Sequence, residues 1–124
     1  MQLDDIRITV KTEFLPHHSD SAEHRFAFAY TITIANFGRR STQLISRYWK
    51  IKDANNKIQE VEGLGVVGEQ PHIAPGASYT YTSSAVINTE IGTMEGFYNM
   101  QCDNGDTFVA KIPTFVLAPA HAIH

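Results

Sequence analysis

Large and small side chains alternate along "RFAFAYTITIANF", where Phe26, Phe28, Tyr30, Ile32 and Ile34 are separated by Ala27, Ala29, Thr31, Thr33 and Ala35. A period of two puts each set on its own face of an extended chain, so this segment predicts a strand with its bulky side against a core. Residues 5 to 14 repeat the pattern, with Ile6, Ile8 and Val10 alternating with Arg7, Thr9 and Lys11. In "QLISRYWKIKD", residues 43 to 53, strict alternation puts Ile45, Arg47, Trp49 and Ile51 on one face, and Leu44 and Tyr48 on the other. Arg47 therefore shares the face of Trp49, which predicts partial burial and hydrogen bonds from its guanidinium to nearby loop carbonyls.

Turn signals divide the remaining chain. Asn55-Asn56 tolerates positive φ and predicts a hairpin into the short strand "KIQEV". "YTYTSSAVI" and "GFYNMQC" read as strands, and Asp103-Asn104-Gly105-Asp106 predicts a turn from which "TFVAKIPTFVL" returns. Pro113 in that last segment predicts an edge position or a bulge. No window supports a helix of three turns, since Gly92 breaks "NTEIGTM". About seven short antiparallel strands result, the pattern of an all-β sandwich, with Trp49 suited to the space between its sheets. The tail "APAHAIH" is expected to leave the sandwich and run over its surface.

Bulk properties narrow the classes. A chain of 124 residues, 43% hydrophobic and 19% charged, suits one packed domain over residues 1–124. A net charge of -3 and a pI near 6.0 argue against nucleic acid as the default partner. The lone Cys102 excludes an internal disulfide and points to a reducing cytoplasm. "MQLDDIRITV" has no secretory pattern, and no apolar run is long enough to cross a bilayer as a helix, so no membrane role is expected.

"EGLGVVGEQP" contains Gly63-x-Gly65-x-x-Gly68, the spacing of a dinucleotide-binding turn. That chemistry needs a buried parallel strand before the glycines and a helix opening within them, because free helical N–H groups hold the phosphate charge. Upstream stands the short, charged "KIQEVE"; downstream, Pro71 and Pro75 forbid a helix. No Lys-Ser/Thr pair completes a P-loop. The preferred reading is a structural loop between the sheets whose glycines permit positive φ or close approach. A backbone nest for a small anion remains the alternative.

The loop and its surroundings carry a family resemblance. "GLGVVGEQPHIAPG", "QLISRYWKIKD", "KIPTFVL" and the ladder Gly92-x-Met94-x-Gly96-x-Tyr98-x-Met100 closely resemble the bacterial ApaG family, from about residue 5 to Ile123-His124. The resemblance implies an immunoglobulin- or fibronectin-III-like sandwich. Similar domains in eukaryotic F-box proteins and in a DNA-polymerase-interacting protein look like protein-binding modules, and the bacterial family carries a link to cobalt and magnesium efflux. One departure is "DANNK", where relatives often place a glycine in the turn.

Catalytic and metal chemistry find no pattern. His17, His18, His24, His72, His121 and His124 show no ligand spacing, and the acids are spread along the chain. Cys102 has acidic neighbours that disfavour a thiolate. Ser83-Ser84 lacks a nucleophile elbow, and Asp4-Asp5 lies at a chain end. No catalytic residue, metal or cofactor is assigned. Between residues 39 and 57 stand six of the ten lysines and arginines and a single acid, Asp53. They solvate a strand, or they offer a positive patch to an acidic partner. The leading expectation is a non-catalytic protein-binding module whose partner surface includes Arg39, Arg40, Arg47 and Lys50. The alternative is a small-anion or phosphate sensor in which Gly63, Gly65, Gly68, Glu69 and Gln70 form the binding loop, helped by Arg47 or Lys50. Exposed strand edges and sheet faces leave a homodimer open.

Overall fold

The computed structural model describes residues 5–122. Two antiparallel sheets pack face to face. The strands are β1 (Ile6–Phe14), β2 (Phe26–Asn36), β3 (Thr42–Asp53), β4 (Ile58–Leu64), β5 (His72–Ile73), β6 (Ser78–Ile87), β7 (Gly92–Cys102) and β8 (Thr107–Leu117). One sheet runs β1-β2-β6; the other runs β4-β3-β7-β8, with β5 also on β3. The sandwich and its consistency with the immunoglobulin-like class agree with the sequence pattern. The eighth strand is β5, whose two residues are too short to show a period. Asp4, Ile123 and His124 lie outside the described residues, as does the rest of the first four positions.

Both sheets contribute to one apolar cluster. Phe28, Ile32 and Ile34 of β2 face Leu44, Trp49, Met94, Tyr98, Met100 and Ile112 across the gap. Trp49 is 2% exposed and meets Tyr30, Tyr98 and Phe115 edge-on, with centroids 5.4 to 6.5 Å away. Such tilted contacts suit the ring quadrupoles and add to the burial energy. Gly96 lies opposite Trp49 on β7 and has no room for a side chain, because a Cβ there would stand 2.0 Å from the Tyr48 carbonyl oxygen.

The turns follow their chemistry. Asp53 accepts hydrogen bonds from the amides of Asn55 and Lys57, and Asn56 takes the left-handed conformation at φ 64°. Gly105 turns the Asp103–Asp106 segment at φ 92°. Pro113 sits in an edge strand where Pro113 and Thr114 together oppose Glu95, so it occupies both an edge and a bulge.

One assignment of faces is corrected. Leu44 joins Trp49 and Ile51 in the core at 0% exposure, although strict alternation puts it on the opposite side. The pairing of β3 with β7 slips between Leu44 and Ser46, so Ile45 is an extra residue. A bulge reverses the face of everything before it. Beyond Ala118, the chain leaves β8 through a buried Pro119 into a single helical turn, Ala120–Ala122.

Candidate functional site

The glycine segment lies at a junction. One edge of β3 is paired first by β5, at Thr42 and Gln43, and then by β4, from Ser46 to Lys52. Residues 65 to 70 span the gap between those partners, opposite the bulged Ile45. The Ile45 carbonyl accepts from the Gly65 amide at 2.8 Å and from the Gln70 side-chain amide at 2.9 Å. Gln43 in turn donates to the Gln70 carbonyl, and the Leu44 amide to that of Pro71. The loop thereby satisfies backbone groups that the bulge takes out of the ladder.

Its tip is a two-residue hairpin. The amides and carbonyls of Val66 and Glu69 bond each other, at 2.8 and 2.9 Å, around Val67 and Gly68. Both central residues have positive φ, 44° and 83°, as a tight turn between right-twisted strands requires. No helix begins here; the chain continues as an isolated bridge and then β5. Each glycine has its own reason. A Cβ at Gly65 would lie 2.1 Å from the Glu69 carbonyl oxygen, Gly68 needs only its positive φ, and Gly63 clears a path for Arg47. The amides of Gly65, Val66 and Glu69 all donate to backbone carbonyls, so those three N–H groups do not line an anion nest.

Val66 plugs the core at 0% exposure, whereas Val67 is 54% exposed. Val67 is β-branched and held in the left-handed region, where its side chain crowds the backbone. Glu69 accepts a hydrogen bond from the Tyr79 hydroxyl of β6, tying the hairpin to the second sheet.

Arg47 extends from the inner side of β3 to the open edge of the sandwich. Its Nη1 donates to the carbonyls of Leu64 at 3.1 Å and Gly65 at 2.9 Å, the loop bonds expected from its position beside Trp49. Behind it lies a cleft of about 290 Å³ between the sheets, lined by Tyr30, Arg47, Tyr81, Ser83 and the hairpin. Deeper still, Tyr81 and Tyr98 share a buried hydroxyl–hydroxyl bond of 2.5 Å. Burial raises the pKa of Tyr30, Tyr81 and Tyr98, and the positive charge of Arg47 partly offsets this in all three.

The other basic residues do not gather around Arg47. Lys50 is three positions along β3 and points from its outer face. Arg39 and Arg40 lie in the β2–β3 turn, which the buried Asn36 holds by donating to the Arg40 and Ile73 carbonyls and accepting from Gly38. Arg39 is exposed, and Arg40 meets Asp103 at 3.2 Å on the surface. His17 and His18 occupy a one-turn helix, and His121 lies 3.7 Å from Glu90. Among the described residues, no three His, Cys, Asp or Glu side chains come together as a metal set.

One feature could not be found by single-strand reading. On the outer face of the larger sheet, Tyr48 of β3 and Phe97 of β7 stack with centroids 5.0 Å apart. Alternation puts Tyr48 outside, but only the register of β3 on β7 brings Phe97 beside it.

Residues 16–102 match the family described as the ApaG domain. The chain belongs to the ApaG family. The Protein ApaG of Dechloromonas aromatica is 50% identical over 119 residues, covering 96% of this chain and 94% of that one. The Protein ApaG of Pseudomonas paraeruginosa is 51% identical over the same shares. The crystal structure of the putative ApaA protein from Bordetella pertussis, 43% identical, superposes with a TM-score of 0.91 over 94% of each chain. The glycine hairpin, Arg47 and the stacked aromatics all fall within the stretch that matches the ApaG domain. No helix among the described residues is long and apolar enough to cross a membrane.

Proposed function

We propose that this ApaG chain is a non-catalytic cytoplasmic protein-binding module and that the glycine hairpin is its recognition element. The observation that carries this reading is Val67. A β-branched side chain stands in a strained conformation at the tip of a braced turn, yet it is 54% exposed, so burial returns little to offset the strain. Strain of this kind persists where a presented side chain is used. Arg47, Gln70 and Tyr79 hold the turn from three sides, so it meets a partner already ordered. A link to cobalt or magnesium homeostasis then runs through the partner. Arg39 and Arg40 form a separate candidate contact at the β2–β3 turn.

The test is affinity capture from an extract of the source cell with wild type, Val67→Asn, and the pair Arg39→Ala with Arg40→Ala. Asparagine keeps the left-handed backbone and removes the apolar branch. A protein recovered by wild type and lost with Val67→Asn supports the hairpin. Recovery that neither variant changes overturns the surface assignment.

The small-anion alternative keeps one supporting observation, the Arg47 guanidinium at the mouth of a cleft that also holds Tyr30, Tyr81 and Ser83 hydroxyls. Amide NMR during titration with phosphate, pyrophosphate, ATP and diadenosine compounds decides it. Saturable shifts at Arg47 and residues 63–70 support it, and a flat response removes it.

A further inference from the structure

The outer face of the β4-β3-β7-β8 sheet has a symmetry that its sequence does not announce. Residues directly opposite one another in an antiparallel ladder project from the same face. The register therefore arranges the outer side chains in rows across the strands. One row reads Leu64, Ser46, Asn99, Val109, and the next reads Glu62, Tyr48, Phe97, Lys111. Then come Glu60, Lys50 and Glu95, ending at the Pro113–Thr114 bulge, and finally Ile58, Lys52, Thr93, Val116.

Reversing the rows pairs like with like or charge with countercharge at all but two places, where Lys52 meets Thr93 and Glu60 meets the Pro113–Thr114 bulge. Leu64 changes places with Val109, Ile58 with Val116, Tyr48 with Phe97, and Ser46 with Asn99. Glu62 changes places with Lys111, and Lys50 with Glu95. That reversal is what a two-fold axis produces when it runs parallel to the strands, midway between β3 and β7, with a second sheet laid face to face on the first. We propose that this face binds a second copy of the same chain about that axis, as an isologous dimer.

Chemistry and size both fit. The face carries three acids, Glu60, Glu62 and Glu95, and three bases, Lys50, Lys52 and Lys111. It is neutral on a chain of net charge -3, so a second copy is not repelled there. The stacked Tyr48–Phe97 pair lies at its centre, where interface anchors belong. Ile58, Leu64, Val109 and Val116 are 44% to 75% exposed at its corners. Two twisted sheets pack at about 30° to each other, and the axis bisects that angle. Four strands and four rows cover roughly 20 by 25 Å, near the lower end of stable interfaces, so the dimer is concentration-dependent. This contact is independent of the hairpin's partner, because Val67 lies beyond the rows.

Glu62 and Lys111 supply the test. Within one chain, Tyr48 and Phe97 stand between them, and they meet only across the axis. Sedimentation velocity from micromolar to millimolar protein is expected to show wild type passing from monomer to dimer. Glu62→Lys alone and Lys111→Glu alone each weaken self-association by roughly tenfold or more, since the reversed pair occurs twice. An equimolar mixture of these two single variants restores the dimer, because every 62–111 contact in the mixed pair is again of opposite sign. Circular dichroism verifies that each variant is folded. A wild type that stays monomeric throughout, single variants that dimerise like wild type, or a mixture that fails to associate overturns the proposal.

Discussion

The guanidinium of Arg47 lies directly over Gly63: a Cβ at position 63 would stand 2.9 Å from Nη1 and 3.0 Å from Nη2. The two residues are register partners on β3 and β4. The absent side chain of one is the path by which the other reaches the carbonyls of Leu64 and Gly65. Gly63→Ala should displace the guanidinium and cost about 1 to 2 kcal/mol through loss of charge-assisted hydrogen bonds. In Arg47→Met, the same glycine change should cost much less. A double-mutant cycle by urea denaturation measures this coupling, and additive effects would separate the two residues.

The remaining glycines should rank by their surroundings and not by their place in the Gly-x-Gly-x-x-Gly pattern. Gly96→Ala and Gly65→Ala each drive a Cβ to within about 2.1 Å of a carbonyl oxygen and should cost several kcal/mol or prevent folding. Gly68→Ala meets open space and should cost only about 1 kcal/mol, the strain of a positive φ of 83°. Soluble yield and thermal midpoints of the three variants give the order. An equal loss in all three would favour a shared ligand role.

Val67→Asn should stabilise the chain by about 1 kcal/mol, because asparagine tolerates the left-handed region far better than valine. Val67→Gly should gain less, since glycine also loosens the unfolded state. Denaturant midpoints test both. A loss of stability with asparagine would mean that the valine branch is packed and not merely presented.

The buried tyrosines predict an alkaline limit. Burial raises Tyr81 and Tyr98 above the ordinary phenol pKa, so in the unfolded chain they lose their protons first. Their contribution is intact below about pH 10 and is lost as pH rises beyond it, at about 1.4 kcal/mol per pH unit for each tyrosine. Absorbance of tyrosinate during alkaline titration should show these two ionising only as the fold is lost. Tyr98→Phe should cost about 1 to 3 kcal/mol at neutral pH, since it strands the Tyr81 hydroxyl.

Strand positions, the Asn55-Asn56 and Asp103–Asp106 turns, and the inward face shared by Trp49 and Arg47 were legible because alternation and turn chemistry are read from residues a few positions apart, although the carbonyls that Arg47 reaches lie 17 and 18 residues away. Leu44 was not, because nothing within "QLISRYWKIKD" marks Ile45 as the extra residue; its compensation comes from Gly65 and Gln70. The glycine pattern suggested phosphate chemistry because its spacing is local, while the reasons for Gly63 and Gly96 are supplied by Arg47 and Tyr48 on a neighbouring strand. The Tyr48–Phe97 stack needed the register between strands far apart in the chain.

Because the Ile45 carbonyl is gripped from both sides of the hairpin, by the Gly65 amide and the Gln70 side chain, the segment between them works as a spacer of set length. One residue added or removed between 65 and 70 would carry either grip past its target. It would also shift β5 against the start of β3. What looks like a surface connection open to insertions is a gauge block for the whole edge, whereas the Asn55-Asn56 hairpin, held by Asp53 and by a single outside bond from the Ala54 amide to Thr89, has more room to change.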